Sequence, residues 1–264
     1  MKLLVCMKQV PAAATASIDP LTKTIVRTGR SAVTNPFDLY ALQTALDIRK
    51  QTGGTVTALS MGIQAAEKVL RDAVSRGADG GALLSDRAFA GADTLATSYA
   101  LSLGVQKLGG ANLIVCGKMA VDGDTAQIGP ELAQHLGIPH VSDVVEILEA
   151  AEDHLIVRRV WDDIEQELYL PLPALITVIK GHKLPDLPTI PGMLRGRAAD
   201  IPIWTAADLG ADTTRCGLKG SPTQVVQTFT PPVRGQAQTL SGSTADIARA
   251  LAQICKEVSH EANP

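Results

Sequence analysis

Asn112-Leu113-Ile114-Val115-Cys116-Gly117 runs into Lys118-Met119-Ala120-Val121-Asp122-Gly123-Asp124-Thr125-Ala126-Gln127 and then Ile128-Gly129-Pro130. Asn112–Cys116 is dominated by an uninterrupted apolar run, which reads as a strand buried in a parallel sheet. The run breaks at Gly117. The spacing then predicts a helix over Asp124–Leu136 with an irregular opening, because Gly129-Pro130 falls inside its first turns. Strand, glycine-containing turn and helix start together suit a phosphate. The glycines admit close backbone approach, and a helix N-terminus supplies N–H donors and a positive dipole end. Thr125 and Gln127 add side-chain hydrogen-bonding groups. Asp122 or Asp124 either caps the helix or reaches a ribose hydroxyl. Spacing alone leaves two readings open, a phosphate cradle and an ordinary capped connection. The stretch carries neither the dinucleotide fingerprint GxGxxG nor the P-loop pattern.

The same alternation extends outward. Lys2–Met7 is a short apolar strand. Asn35-Pro36 opens a helix, with Asn suited to the N-cap and Pro to the first helical position, and Gly53 stops it. Leu39, Leu42 and Leu46 recur along it at helical spacing. Thr55–Met61 reads as a strand, Ala65–Ser75 as a helix and Ala82–Leu84 as a strand. Ala92-Asp93 caps a helix running to about Leu108. Four strand–helix alternations predict an α/β fold, a doubly wound, mostly parallel, Rossmann-like sheet. Ligands of such sheets bind outside the carboxyl ends of the strands. Here those ends are Met7–Val10, Thr34–Asp38 (reached after an excursion), Ser60–Gly62 and Gly117–Ile128. Ser85–Ser98 is a second candidate segment, rich in small residues and hydroxyls, in which Asp93 reads either as a plain N-cap or as part of a site.

The pattern changes after Pro139. Val141–Glu149, His154–Trp161, Glu165–Leu170 and Leu175–Lys180 read as strands without intervening helices, so antiparallel additions to the sheet are expected. Ala12–Ser31 is a polar excursion with room for a small hairpin. Leu184–Arg197 is rich in Pro, Gly and Arg, and Ile201–Pro232 has little periodicity. Thr244–Val258 reads as an amphipathic helix. These features divide the chain into an α/β nucleotide-binding domain, 1–200, and a C-terminal arm, 201–264, expected to lie along a partner.

Bulk properties narrow the function. A formal net charge of −3 gives no basic field for a nucleic acid. The four cysteines are scattered with no CxxC pair, which argues against a Cys-rich metal site or a disulfide framework. Cys6 and Cys116 read as small buried hydrophobes. The opening apolar run is too short for a signal peptide or a membrane span, so a cytoplasmic location without membrane insertion is expected. The histidines are dispersed, and no nucleophile–base constellation or metal-ligand spacing is present.

Taken together, the segments resemble the β subunit of electron-transfer flavoproteins. Leu4-Val5-Cys6-Met7-Lys8-Gln9-Val10-Pro11 is similar to the family's first strand, and Asn35-Pro36-Phe37-Asp38-Leu39-Tyr40-Ala41-Leu42 to its Asn-Pro helix start. Gly117–Pro130 is similar to its nucleotide loop, and Pro173-Ala174-Leu175-Ile176-Thr177 to the end of its signature strand. Gly220-Ser221-Pro222-Thr223-Gln224 extends the likeness into the arm. Ser85–Thr94 paired with Val121–Gln127 is similar to electron-bifurcating members of anaerobes. That resemblance implies FAD in this subunit, where conventional members hold AMP, and NADH as electron donor. It implies adenosine and phosphate contacts at Cys6, Asn35, Asp38, Met61, Gly117, Lys118, Met119, Ala120, Val121, Asp122, Gly123, Asp124, Thr125, Ala126, Gln127 and Ile128. It places Asp93, Thr94 and Thr97 nearer the flavin or NADH.

The implied partners are an α subunit, ferredoxin or flavodoxin, and a flavin-dependent dehydrogenase acting on an acyl-CoA, an enoyl-CoA or a 2-hydroxy acid. The family's partner-recognition loop should fall near Gly181–Leu194. That segment lacks the Leu-Asn-Glu-Pro-Arg-Tyr pattern of mitochondrial-type members, and Ile164 replaces an acidic residue usual near the signature strand. The chain is read as an electron-transfer subunit rather than a self-contained enzyme. The rivals are a conventional subunit with structural AMP and, from another class, a stand-alone nucleotide-binding regulatory protein.

Overall fold

A computed structural model of the chain describes residues 1–12, 17–18, 25–26, 32–162, 164–181, 185–227 and 239–261. Strand β1 (Lys2–Cys6) is followed by β2 (Gln9–Pro11), which pairs antiparallel with β5 (Ala32–Thr34). Between them β3 (Ser17–Ile18) and β4 (Ile25–Val26) pair as the small hairpin expected there. The rest of the Ala12–Ser31 excursion, residues 182–184 of the Gly181–Leu194 segment and the end of the aperiodic stretch to Pro232 lie outside the described residues.

The α/β body then follows as α1 (Pro36–Thr52), β6 (Thr55–Met61), α2 (Glu67–Arg76), β7 (Gly80–Leu84), α3 (Thr94–Lys107), β8 (Leu113–Gly117) and α4 (Ile128–Leu136). The remaining elements are β9 (His140–Ala150), β10 (His154–Trp161), β11 (Ile164–Pro171), β12 (Ala174–Val178), α5 (Ile190–Ala198), β13 (Ile203–Trp204) and α6 (Thr244–Glu261). Nine strands form one sheet in the order β11-β10-β9-β12-β8-β1-β6-β7-β13. Its centre is parallel, as the apolar runs predict.

Alternate residues of each central strand feed two cores. Leu3, Val5, Val56, Ala58 and Val115 face Leu42 and Leu46 of α1 and Leu70 of α2. Leu4, Cys6, Leu59, Ile114 and Cys116 face Leu101 of α3 and Leu132 of α4. The chain winds from β1 through β6 to β7, then crosses to the other side of β1 as β8. The strand order therefore reverses between β1 and β8, and their carboxyl ends form the switch point at whose crevice sheets of this kind bind ligands.

Several expectations need correction. β9, β10 and β11 are antiparallel, but β12 inserts parallel between β8 and β9. β12 follows β11 with no helix between them, so the order of elements in the sequence hid its parallel direction. The Leu184–Arg197 stretch contains a helix, α5. A Cβ at Gly192 would lie 2.2 Å from the Ser75 carbonyl oxygen, and one at Gly196 would lie 2.5 Å from that of Arg71. The glycines that lower helix propensity are therefore the ones that let α5 press onto α2. The aperiodic stretch supplies β13 as an edge strand along β7.

The chain divides into two compact units, Met1–Val226 and Gln227–Pro264. In the second, α6 starts with a reciprocal cap. The Asp246 N–H donates to Ser243 Oγ at 3.3 Å, and the Ser243 N–H donates to Asp246 Oδ2 at 3.3 Å. Among the described residues no helix is long and apolar enough to cross a membrane.

Candidate functional site

The connection from β8 to α4 forms one bank of the crevice, and the chain after β1 forms the other. Asn35 joins them. It stands at the N-cap of α1, but its side chain makes no cap bond, contrary to expectation. Instead its Nδ2 donates to the Met119 carbonyl at 2.9 Å and to Asp38 Oδ1 at 2.9 Å, while its Oδ1 accepts from the Val121 N–H at 3.2 Å. Asn35 is 1% exposed, so these bonds are made away from water and are costly to leave unmade.

Asp38 is buried beside it and accepts the Lys8 N–H at 2.7 Å. Burial pushes its carboxyl up from 3.8 to about 7. Bonds from Asn35, the Lys8 N–H and the Gly117 N–H, with the Lys8 charge, offset part of that rise. Gly117 has no room for a side chain: a Cβ would lie 2.5 Å from Asp38 Oδ1 and 2.7 Å from Phe37 backbone.

Lys118 places its Nζ 3.1 Å from Asp143 Oδ1. Lys8 places its Nζ 2.7 Å from Asp122 Oδ1. Asp122 therefore caps no helix. Lys8 was not singled out from the sequence, since nothing local marks a partner 114 positions away.

The loop changes character after Asp122. The Gly123 and Asp124 N–H groups turn back onto the Ala120 carbonyl at 3.2 and 2.9 Å. Asp124 and Ala126 then take φ of 55° and 54°. Left-handed residues cannot continue a helix, so α4 begins at Ile128 and not at Asp124. Pro130 sits within the first turn, where no intrahelical N–H is needed. No side chain caps α4, so its first-turn N–H groups stay open. Gly123, Asp124, Thr125 and Gln127 are exposed. Open donors, a helix start and a glycine fit an anionic phosphate. A Cβ at Gly129 would lie 2.4 Å from Thr177 Cγ2, so the helix start is seated tightly on β12.

Cys6 and Cys116 are register partners at the ends of β1 and β8, both buried in the core beneath the crevice. A hydrogen bond with Cys6, with burial added, pushes the Cys116 thiol up. Met61 ends β6, half-buried against the α3 side of the core. The second candidate segment abuts the loop: Thr94 Oγ1 lies 3.3 Å from Gln127 Oε1 and 3.0 Å from Glu131 Oε1.

Asp93 is the N-cap of α3, accepting the Ala96 N–H at 3.0 Å. Its other oxygen accepts the Thr223 hydroxyl at 2.9 Å. Burial raises its carboxyl, but bonds from Ala96, Thr223 and Ser221 outweigh that and hold it below the usual range. The Thr97 N–H donates to the Asp93 carbonyl at 3.0 Å within the helix's first turn. Beside this helix start lies a cleft of about 400 Å³ lined by Leu95, Tyr99, Thr214, Arg215, Lys219 and Ser221 among others. A second cleft of about 320 Å³, lined partly by Gln9, Thr34, Asp72 and Arg76, lies on the α2 side.

Comparison with known proteins agrees with this architecture. The family model described as the electron transfer flavoprotein domain matches residues 22–209. The chain is 40% identical over 257 residues to the electron transfer flavoprotein subunit beta of Clostridium acetobutylicum, covering 97% of this chain and 98% of the relative. It is 39% identical to the caffeyl-CoA reductase-Etf complex subunit CarD of Acetobacterium woodii, covering 97% and 98%. It is 42% identical to protein FixA of Bradyrhizobium diazoefficiens, covering 94% and 88%. With a switch-point crevice, a phosphate-compatible loop and likeness over nearly its whole length, the chain belongs to the electron transfer flavoprotein family as a β subunit.

Proposed function

We propose that this β subunit holds FAD in the crevice between β1 and β8 and, paired with an α subunit, serves NADH-driven electron bifurcation. The observation that carries the FAD reading is the contact of Thr94 with Gln127 and Glu131. It joins the loop and the α3 start into one continuous wall, which a ligand extending beyond a mononucleotide could follow. In this reading Gln127, Thr125 and the open N–H groups of α4 take the phosphates. Asn35 and Asp38 hold the loop in place rather than the ligand. The chemistry that bound FAD supplies is hydride acceptance from NADH and single-electron release, one electron to ferredoxin or flavodoxin and one through the α subunit to a dehydrogenase. The cleft beside Leu95 suits NADH, because Arg215 and Lys219 offer cations for a pyrophosphate.

The chain's own residues do no covalent chemistry in this scheme. They position, desolvate and neutralise. A relative within a caffeyl-CoA reductase-Etf complex supports a partner acting on a CoA thioester. The exposed Leu187, Ile190 and Leu194, at 84%, 77% and 59%, supply an apolar surface for docking such a partner. Residues 201–226 belong to the first compact unit, and the stretch from 227 onward is read as the arm that packs on the α subunit. Counting nucleotides in the purified heterodimer tests the proposal. Two FAD, with bleaching by NADH, support it. One FAD with one AMP, and no response to NADH, overturns it in favour of the conventional type.

A further inference from the structure

One ion pair bars the crevice from bank to bank. Lys8 stands two residues beyond the end of β1, and Asp122 five residues beyond the end of β8. Their side chains meet at 2.7 Å, with the Asp122 side chain 4% exposed and that of Lys8 39%. The backbone at Lys8 is itself anchored. Its N–H donates to Asp38 Oδ2 at 2.7 Å, and its carbonyl accepts the Asn35 N–H at 2.9 Å. The ammonium therefore swings from a fixed root. A second ion pair at the loop, Lys118 with Asp143, ties it toward β9 and does not cross the crevice.

We propose that Lys8 is a positioning residue that clasps the nucleotide crevice: by holding Asp122 it keeps the loop closed over a bound adenine nucleotide and sets the rate of its release. The inference rests on the nucleotide reading above. A ligand lodged between the ends of β1 and β8 leaves by parting those two banks, and parting them separates Lys8 from Asp122. The pair is asymmetric. Lys8 regains water easily, whereas the Asp122 side chain, 4% exposed, loses a directly paired cation in a place where water compensates poorly. Losing Lys8 therefore raises the energy of the closed loop far more than that of the open one. Release quickens, and capture, which starts from the open loop, changes little.

The test uses the heterodimer with its α subunit, and AMP as the probe, because AMP is the part common to both candidate nucleotides. Labelled AMP is loaded and its release is followed into excess unlabelled AMP. Lys8→Gln is expected to release AMP about ten-fold faster, with capture changed by no more than about two-fold. Asp122→Asn is expected to act similarly. The double variant should be no faster than the faster single one, because both remove the same interaction. Lys8→Arg should restore release to within about two-fold of wild type. Thermal melting at saturating AMP checks that each variant is folded, and Lys8→Met, which keeps the stem, replaces the Gln variant if that one is not. Unchanged release, additive single effects, or equal changes in capture and release overturn the clasp. A wild-type heterodimer stripped of its nucleotide that then takes up neither AMP nor FAD overturns the nucleotide reading itself.

Discussion

Met119–Asp122 and Gly123–Gln127 are consecutive stretches of one loop, yet they are built in opposite ways. The first is tied down at every step, with Met119 and Val121 on Asn35 and Asp122 on Lys8. The second is mostly exposed, carries two left-handed residues and leads into a helix start with open donors. The tied stretch spends its hydrogen-bonding groups on the protein, so it sets position. The open stretch leaves the Thr125 side chain and the N–H groups leading into α4 exposed, so it is the half proposed to receive a ligand. Substitutions in the tied half should therefore damage stability and binding together, and those in the open half should damage binding alone.

Gly117→Ala presses hardest on this distinction. Its Cβ would meet Asp38 and the Phe37 backbone, neither a flexible chain end. Overpacking of this kind costs about 1–3 kcal/mol and should lower the melting midpoint by roughly 2–10 °C. An unchanged midpoint would break the account of how the loop is seated. Next comes Asn35→Ala, which strands the Met119 carbonyl and the Val121 N–H. It should cost about 2–3 kcal/mol in denaturant unfolding and weaken nucleotide binding as well. Loss of binding with full stability would mean that Asn35 touches the ligand and not the loop.

Asp38 gives a subtler, pH-dependent test. Its folded carboxyl is raised to about 7 from 3.8, so the folded state keeps a proton that the unfolded chain releases. Its contribution to stability therefore falls as pH rises from about 4 to about 7 and is level above that. Asp38→Asn removes this slope. Wild-type stability minus variant stability should fall between about pH 4 and about pH 7. A difference that is constant or rises contradicts the buried-carboxyl account. The smallest effect belongs to the open half. Thr125→Ala should leave unfolding within about 0.5 kcal/mol of wild type and weaken nucleotide binding roughly five-fold.

The parts of the fold that rest on local chemistry could be read from the sequence. Asn35-Pro36 and Gly53 delimit α1, Asp93 caps α3, and the apolar runs mark β1, β6 and β8. What rests on distant packing could not. α5 exists because Gly192 and Gly196 fit against α2, which no propensity reveals. Asp124-Thr125 looks like a helix opening, but its backbone turns left-handed and delays α4 by four residues. Asn35 reads as a cap and works as a bridge between the banks, because its partners lie 84 and 86 positions away. The strand–loop–helix connection from 113 to 136 was visible in the residues, and its division into a tied half and an open half was not.

The most direct test is a structure of the α–β heterodimer with its nucleotide bound. The account predicts the adenosine and phosphates between the ends of β1 and β8. It places phosphate oxygens within hydrogen-bonding distance of the Gln127–Gly129 N–H groups, with Asn35 still bound to Met119 and Val121. A nucleotide lodged away from this crevice, or one that takes Asn35 from the loop, would contradict it.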